Sequence, residues 1–184
     1  MKPKTILELE SIVIDARDYL LKYFDVSRGY INFFGMNLPN DILGRFRVDE
    51  DRKLYIDIDE DKLIRKLKKG NLEDKFELVL DLVIGEEVGH LLFYLTHKEM
   101  HEHILPEYYG GLKFVHEVIG HYAGIVYANR NSLNQSPLKL DTKNEKAYEL
   151  ANQLYAKHGD AKLAELSKVK SLAEFSYLIK NYEV

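Results

Sequence analysis

From Thr5 to Tyr23, apolar residues recur at three- and four-residue spacing: Ile6, Leu9, Ile12, Val13, Ala16, Tyr19 and Leu20. This is the period of a helix with one buried face. Thr5 and Glu8 stand at capping-box spacing at its start. The period shortens at Gly29–Gly35 (GYINFFG), where β-forming aromatics between glycines predict a strand. Asn37–Asp41, with Pro39, reads as a turn. Arg45–Ile58 alternates like a β-hairpin: Phe46 and Val48 against Arg45 and Arg47, then, past Asp49–Arg52, Leu54, Ile56 and Ile58 against Tyr55 and Asp57. A basic helix over Glu60–Lys69 ends at Gly70, and Asn71 is placed to cap a long apolar helix over Leu72–Leu95. A polar, His-rich segment, Lys98–His103, leads through Pro106 and Gly110-Gly111 to a second apolar helix, Leu112–Asn129. Asn131–Asp141 reads as a loop. Thr142–Lys157 reads as a third helix, with Thr142 and Glu145 in capping-box spacing, ended by His158-Gly159-Asp160. Ala161–Tyr182 holds one or two short helices. The predicted class is α+β: an N-terminal helix and a small antiparallel sheet, followed by a mainly helical part.

A length of 184 residues suits a single domain over 1–184. It divides into helix plus sheet (about 1–70), a helix pair (about 71–130) and a helical extension (about 131–184). A net charge of −4 argues against binding nucleic acid by phosphate neutralisation. The basic run Arg65, Lys66, Lys68 and Lys69, with Lys62 ahead of it, reads as a solvated helix face. With no cysteine there is no disulfide framework, thiolate metal site or cysteine nucleophile. The N-terminal residues lack the apolar core of a signal peptide. Asp81, Glu86, Glu87 and His90 interrupt Leu78–Tyr94, and a membrane span would have to bury all of them. The expectation is a cytoplasmic protein without membrane contact. Its Lys, Glu, Ile and Tyr richness is compatible with a thermophilic source.

Six of the seven histidines fall between His90 and His121. On the first apolar helix Glu86 and His90 are four apart and share a face. Glu86-Glu87-Val88-Gly89-His90 has the spacing of the metal-binding H-E-x-x-H helix, with Glu86 where the first His would stand. In that motif the position of Glu87 is the general base. On the second helix Glu117 and His121 repeat the four-residue spacing. If the helices run antiparallel, Glu86, His90 and Glu117 can meet at one divalent metal. His121 is then a fourth ligand or an orienting partner. The bland alternative is a surface Glu–His pair and a satisfied core histidine. Against it, both pairs sit in apolar helices, where a carboxylate without a partner is costly. For His97, His101, His103 and His116 a structural or surface role is favoured. Glu145 and Glu149 read as a solvated face, with Glu145 a fallback ligand.

The order helix, strand, hairpin, long helix with an E-E-V-G-H core, then a helix carrying Glu117-Val118-Ile119-Gly120 resembles the minimal zincin fold of gluzincin-type metallopeptidases, over roughly Thr5–Ala128. The resemblance implies Glu117 as the third metal ligand and Glu87 as catalytic base. It also implies a strand, here Leu54–Ile58, pairing with extended substrate. Small residues at Gly120 and Gly124 fall where two helices must pack closely. Two carboxylates and one imidazole make a harder site than the family's, suited to iron or manganese as well as zinc. The function expected is a metal-dependent, peptidase-like hydrolase acting on a peptide or protein, with zinc the first choice of cofactor. Tyr122, Tyr108 or Tyr109 would steady the oxyanion. One alternative is a zincin-like binding or regulatory module without catalysis. A second is a ferritin-like di-iron protein, from the E-x-x-H spacing of Glu87 and His90.

Overall fold

The computed structural model describes residues 3–26, 32–35, 38, 42–51, 53–97, 112–131 and 144–182. Helix α1 spans Ile6–Leu20 and continues as a 3₁₀ turn, Leu21–Tyr23. The Thr5–Glu8 capping box is formed: Glu8 N–H donates to Thr5 Oγ1 at 3.2 Å, and Thr5 N–H to Glu8 Oε2 at 2.6 Å. Leu9, Val13, Ala16 and Leu20 are its buried face.

Strands β1 (Asn32–Gly35), β2 (Gly44–Val48) and β3 (Leu54–Ile58) form a three-stranded sheet in the order β1-β3-β2. The hairpin is present, with Phe46 opposite Ile56 and Arg47 opposite Tyr55. β1 joins β3 in parallel, Phe33 opposite Ile56. The sheet is therefore mixed rather than purely antiparallel. β3 is its central strand, hydrogen-bonded on both sides, and cannot pair with an extended substrate; on the hairpin side the edge that no described strand pairs with belongs to β2. Ile56 and Ile58 enter the core. On the other face Asp57 is fully buried beneath Arg47 Nε at 2.7 Å and Arg45 Nη2 at 3.2 Å.

Helix α2 (Glu60–Lys69) starts on Asp59, whose Oδ1 accepts Lys62 N–H at 2.8 Å. Arg65, Lys66, Lys68 and Lys69 face solvent, whereas Lys62 turns inward to Asp59 at 3.3 Å. Gly70 closes α2, but Asn71 is not an N-cap. Its φ of 53° reverses the chain, and α3 begins only at Phe76, after a 3₁₀ turn over Glu73–Lys75.

Helix α3 (Phe76–Thr96) is buried on nearly every side, because α1, α2, β2, β3 and α4 (Leu112–Ala128) all pack around it. Beyond α4 lie α5 (Glu145–His158), α6 (Leu163–Leu166) and α7 (Leu172–Asn181). α5 begins at Glu145 with Asn144 in the capping position. The capping box expected at Thr142 lies outside the described residues, as does most of the loop ahead of it. Gly159, at φ 57°, ends α5. No helix among the described residues is long and apolar enough to cross a membrane.

α3 and α4 meet through glycine. A Cβ on Gly85 would stand 2.9 Å from Gly124 Cα, and one on Gly89 would stand 3.3 Å from Gly120 Cα. The pairing 85 with 124 and 89 with 120 shows that the helices run antiparallel. Their backbones come close enough that side chains next to these glycines converge between the helices.

Candidate metal centre

The two Glu-x-x-x-His pairs face each other across this glycine contact. Glu86 Oε1 lies 3.1 Å from Nδ1 of His121 on the opposite helix and 3.8 Å from Nε2 of His90 on its own. His90 Nε2 lies 4.0 Å from Glu117 Oε2. Each Glu thus reaches an imidazole of the other helix. Ligand atoms of Glu86, Glu117 and His121 all fall within 4.8 Å of one another, and this cluster can hold a metal ion.

The histidine order expected from sequence is therefore changed. His121, expected as a fourth ligand or an orienting partner, belongs to the tight cluster. His90 stands at its margin, with its ring stacked on His116 at 4.2 Å between centroids. Gly120 makes this possible, since a Cβ there would lie 2.3 Å from His90 Cε1. His121 is braced by the edge-on ring of Tyr148, 5.3 Å away, from α5.

Glu117 is held by a residue that sequence reasoning missed. Asn144 Nδ2 donates to Glu117 Oε2 at 2.6 Å. Asn144 precedes α5, 27 positions along the chain, and its only sequence signal is the preference of Asn for helix starts. Glu145, the fallback ligand, is exposed.

The electrostatics call for a cation. Glu86 and Glu117 stand together and Glu87 feels the charge of both, and among the described residues none of them pairs with a lysine or arginine. Burial alone would raise the Glu86 carboxyl, but the charge and hydrogen bond of His121, joined by His90, hold it down to about 2. Burial would likewise lower His90; Glu86, Glu87 and Glu117 overcome that and lift it to about 9. Without an ion, imidazolium supplies the positive charge that the carboxylates need.

The donor set fits a divalent ion. Ligands about 2.0–2.2 Å from a tetrahedral ion stand roughly 3.3–3.6 Å apart, close to the 3.1–4.0 Å spacings found among Glu86, His121, His90 and Glu117. His90 Nδ1 and His121 Nε2 are buried without a hydrogen-bond partner among the described residues. Among the described residues, no outer carboxylate or carbonyl of the kind that commonly orients a ligating histidine meets these two nitrogens.

Glu87, the expected base, points elsewhere. It lies one position, or about 100°, around α3 from Glu86, and its Oε2 accepts Phe46 N–H from β2 at 2.6 Å. It is buried, 7% exposed. Burial pushes its carboxyl up to about 8 and outweighs the pull of His90 and the Phe46 amide, while repulsion from Glu86 and Glu117 offsets part of that pull.

The remaining candidates have other duties. Tyr122 O–H donates to the Gly159 carbonyl at 2.7 Å inside the core, so it is committed to the fold and not to an oxyanion. His97 is buried, its Nε2 2.9 Å from the Ser167 carbonyl oxygen, a structural role as expected. His101, His103, Tyr108 and Tyr109 lie outside the described residues. No protein-family model, curated protein or solved structure matches the chain.

Proposed function

We propose that this chain is a metal-dependent hydrolase of zincin-like, peptidase-like type. Glu86, Glu117 and His121 hold one divalent ion, His90 completes the set, and Glu87 serves as the proton-transfer group. The observation that carries this reading is the convergence of Glu86, Glu117 and His121 between two glycine-packed helices, with His90 at the margin of the cluster. Zinc is the first choice for a four-ligand set of this spacing, while the second carboxylate makes the site hospitable to manganese or iron. When bound, such an ion polarises a carbonyl and lowers the pKa of water. The chain's own residues do the rest. Asn144 fixes the rotamer of Glu117, Tyr148 braces His121, and the Glu87 carboxyl, with a pKa near 8, can take and return a proton around neutral pH.

The test is elemental analysis of protein purified without chelator or histidine tag, followed by metal-dependent casein hydrolysis by wild type and Glu87→Gln. One equivalent of metal and a rate lowered roughly 10²–10⁴-fold by the substitution are expected. A rate unchanged by Glu87→Gln would sink the mechanism.

The alternative of a zincin-like module without catalysis is favoured by one contact, the direct Glu86–His121 pair, in which Nδ1 meets the carboxylate without an ion. Protein that takes up no metal and retains its structure would establish that reading. The di-iron alternative loses ground because Glu87 is turned to β2, away from the cluster, and a mixed sheet stands where a four-helix bundle needs helices.

A further inference from the structure

Glu87 makes a contact that the hydrolase reading does not use. Phe46 stands opposite Ile56 in the hairpin, yet its N–H goes to Glu87 Oε2, so it points off the outer edge of β2. Among the described residues no strand covers that edge. Gly44, two positions earlier on the strand, lies against the same side chain. A Cβ there would stand 2.9 Å from Glu87 Cγ, 3.0 Å from Glu87 Oε1 and 2.8 Å from Val83 Cγ1. Two turns further along α3, Tyr94 meets the Phe46 ring at 5.6 Å. The face of α3 carrying Val83, Glu87 and Tyr94 is therefore seated along the β2 edge. Glu87 forms no ion pair with His90 and contributes no atom to the tight cluster.

We propose that the Glu87–Phe46 contact is a latch. While Glu87 holds the Phe46 amide, it closes the edge of β2 and keeps its carboxyl away from the metal centre. An extended backbone adds to a sheet edge through outward N–H and C=O groups, and here the Phe46 N–H is already taken. Glu87 must leave Phe46 before a peptide backbone pairs at that position. The same movement frees the carboxyl for proton transfer. Gly44 is a positioning residue in this device, because only a residue without Cβ lets Glu87 lie flat against the strand. The inference rests on the hydrolase reading for the role of Glu87 in proton transfer, but the closure of the edge stands apart from it.

The experiment uses the full chain, ¹⁵N-labelled, as wild type, Gly44→Ala and Glu87→Ala. Two readouts are taken: hydrogen exchange at the Phe46 amide, and anisotropy of fluorescein-labelled casein as an unstructured probe. Loss of the carboxyl acceptor is expected to speed Phe46 exchange roughly tenfold or more in both variants, with Ile56 unchanged and casein bound more tightly than by wild type. Glu87→Ala only removes atoms, so it carries the test alone if Gly44→Ala does not fold. Unchanged Phe46 exchange in Glu87→Ala overturns the latch. Faster exchange without tighter casein binding overturns it as well. Neither readout needs turnover, so a protein that hydrolyses nothing fails the functional proposal and leaves this one to be judged separately.

Discussion

Nδ1 of His121 lies 3.1 Å from Oε1 of Glu86 and joins the first position of the E-E-V-G-H helix to the helix that packs across it. Position 86 offers a carboxylate from α3, and His121 offers an imidazole from α4. The two groups are on different helices, held together by close backbone approach at Gly85–Gly124 and Gly89–Gly120. His90 shares the same carboxylate at 3.8 Å, so Glu86 links both imidazoles and is the most central group of the cluster.

That centrality sets an order of effects on metal binding. Zn²⁺ competition against a chromophoric chelator should show the largest losses of affinity for Glu86→Gln and His121→Ala. Asn144→Ala, which frees Glu117 without removing a ligand, should cost roughly 10–100-fold. Equal affinity in wild type and His121→Ala would remove His121 from the ligand set.

Tyr122 offers a test of a different kind. Its hydroxyl donates to the Gly159 carbonyl where α5 ends, far along the chain from the cluster. Tyr122→Phe should therefore cost about 0.5–1.5 kcal/mol of stability, the net worth of one intramolecular hydrogen bond. Any metal-dependent turnover should keep its kcat. A large fall in kcat with unchanged urea midpoint would return Tyr122 to the chemistry.

Local patterns were legible because short-range physics decides them. The Thr5–Glu8 box, the hairpin over β2 and β3, and the ends of α2 at Gly70 and α5 at Gly159 follow from groups only a few residues apart. Asn71 misled because Asn favours both helix caps and left-handed backbone, and only the fold chooses between them. Both Glu-x-x-x-His pairs were visible as spacing. Which imidazole would be nearest was not, since it depends on the register of α3 against α4. Asn144 on Glu117 and Phe46 on Glu87 were out of reach for the same reason: each joins groups on separate elements, and one partner of the second is a backbone amide, which no residue type announces.

Gly124 tests the helix contact itself. A Cβ at this position would lie 2.6 Å from the Leu82 carbonyl oxygen and 3.1 Å from Glu86 N, both backbone atoms of α3 that cannot rotate aside. Gly124→Ala must therefore part the helices. Overpacking of this kind costs ~1–3 kcal/mol, and here it should also pull Glu86 and His121 apart. Urea denaturation is expected to show the loss of stability and a metal titration the loss of affinity. If stability falls and affinity does not, the cluster does not depend on close approach at Gly124.

His97 gives the fold a dependence on pH that is separate from the Glu/His cluster. The side chain is 4% exposed, set against the Phe93 ring, with Nε2 2.9 Å from the Ser167 carbonyl oxygen. Burial disfavours the imidazolium, and nearby Lys170 adds to this, so the pKa falls below the ordinary value although the Ser167 carbonyl and Glu174 pull the other way. The folded chain therefore binds fewer protons here than the unfolded chain once the pH falls below the unfolded pKa of about 6.5. Stability rises with pH wherever the unfolded state holds more protons. The contribution of His97 is thus complete above about pH 6.5 and is lost as the pH falls from there through the lowered folded value. Urea midpoints measured from about pH 5 to pH 7.5 should rise in wild type. In His97→Gln, which keeps a donor for Ser167 but cannot titrate, that part of the slope should vanish. An identical slope in the variant would place the titration on another group.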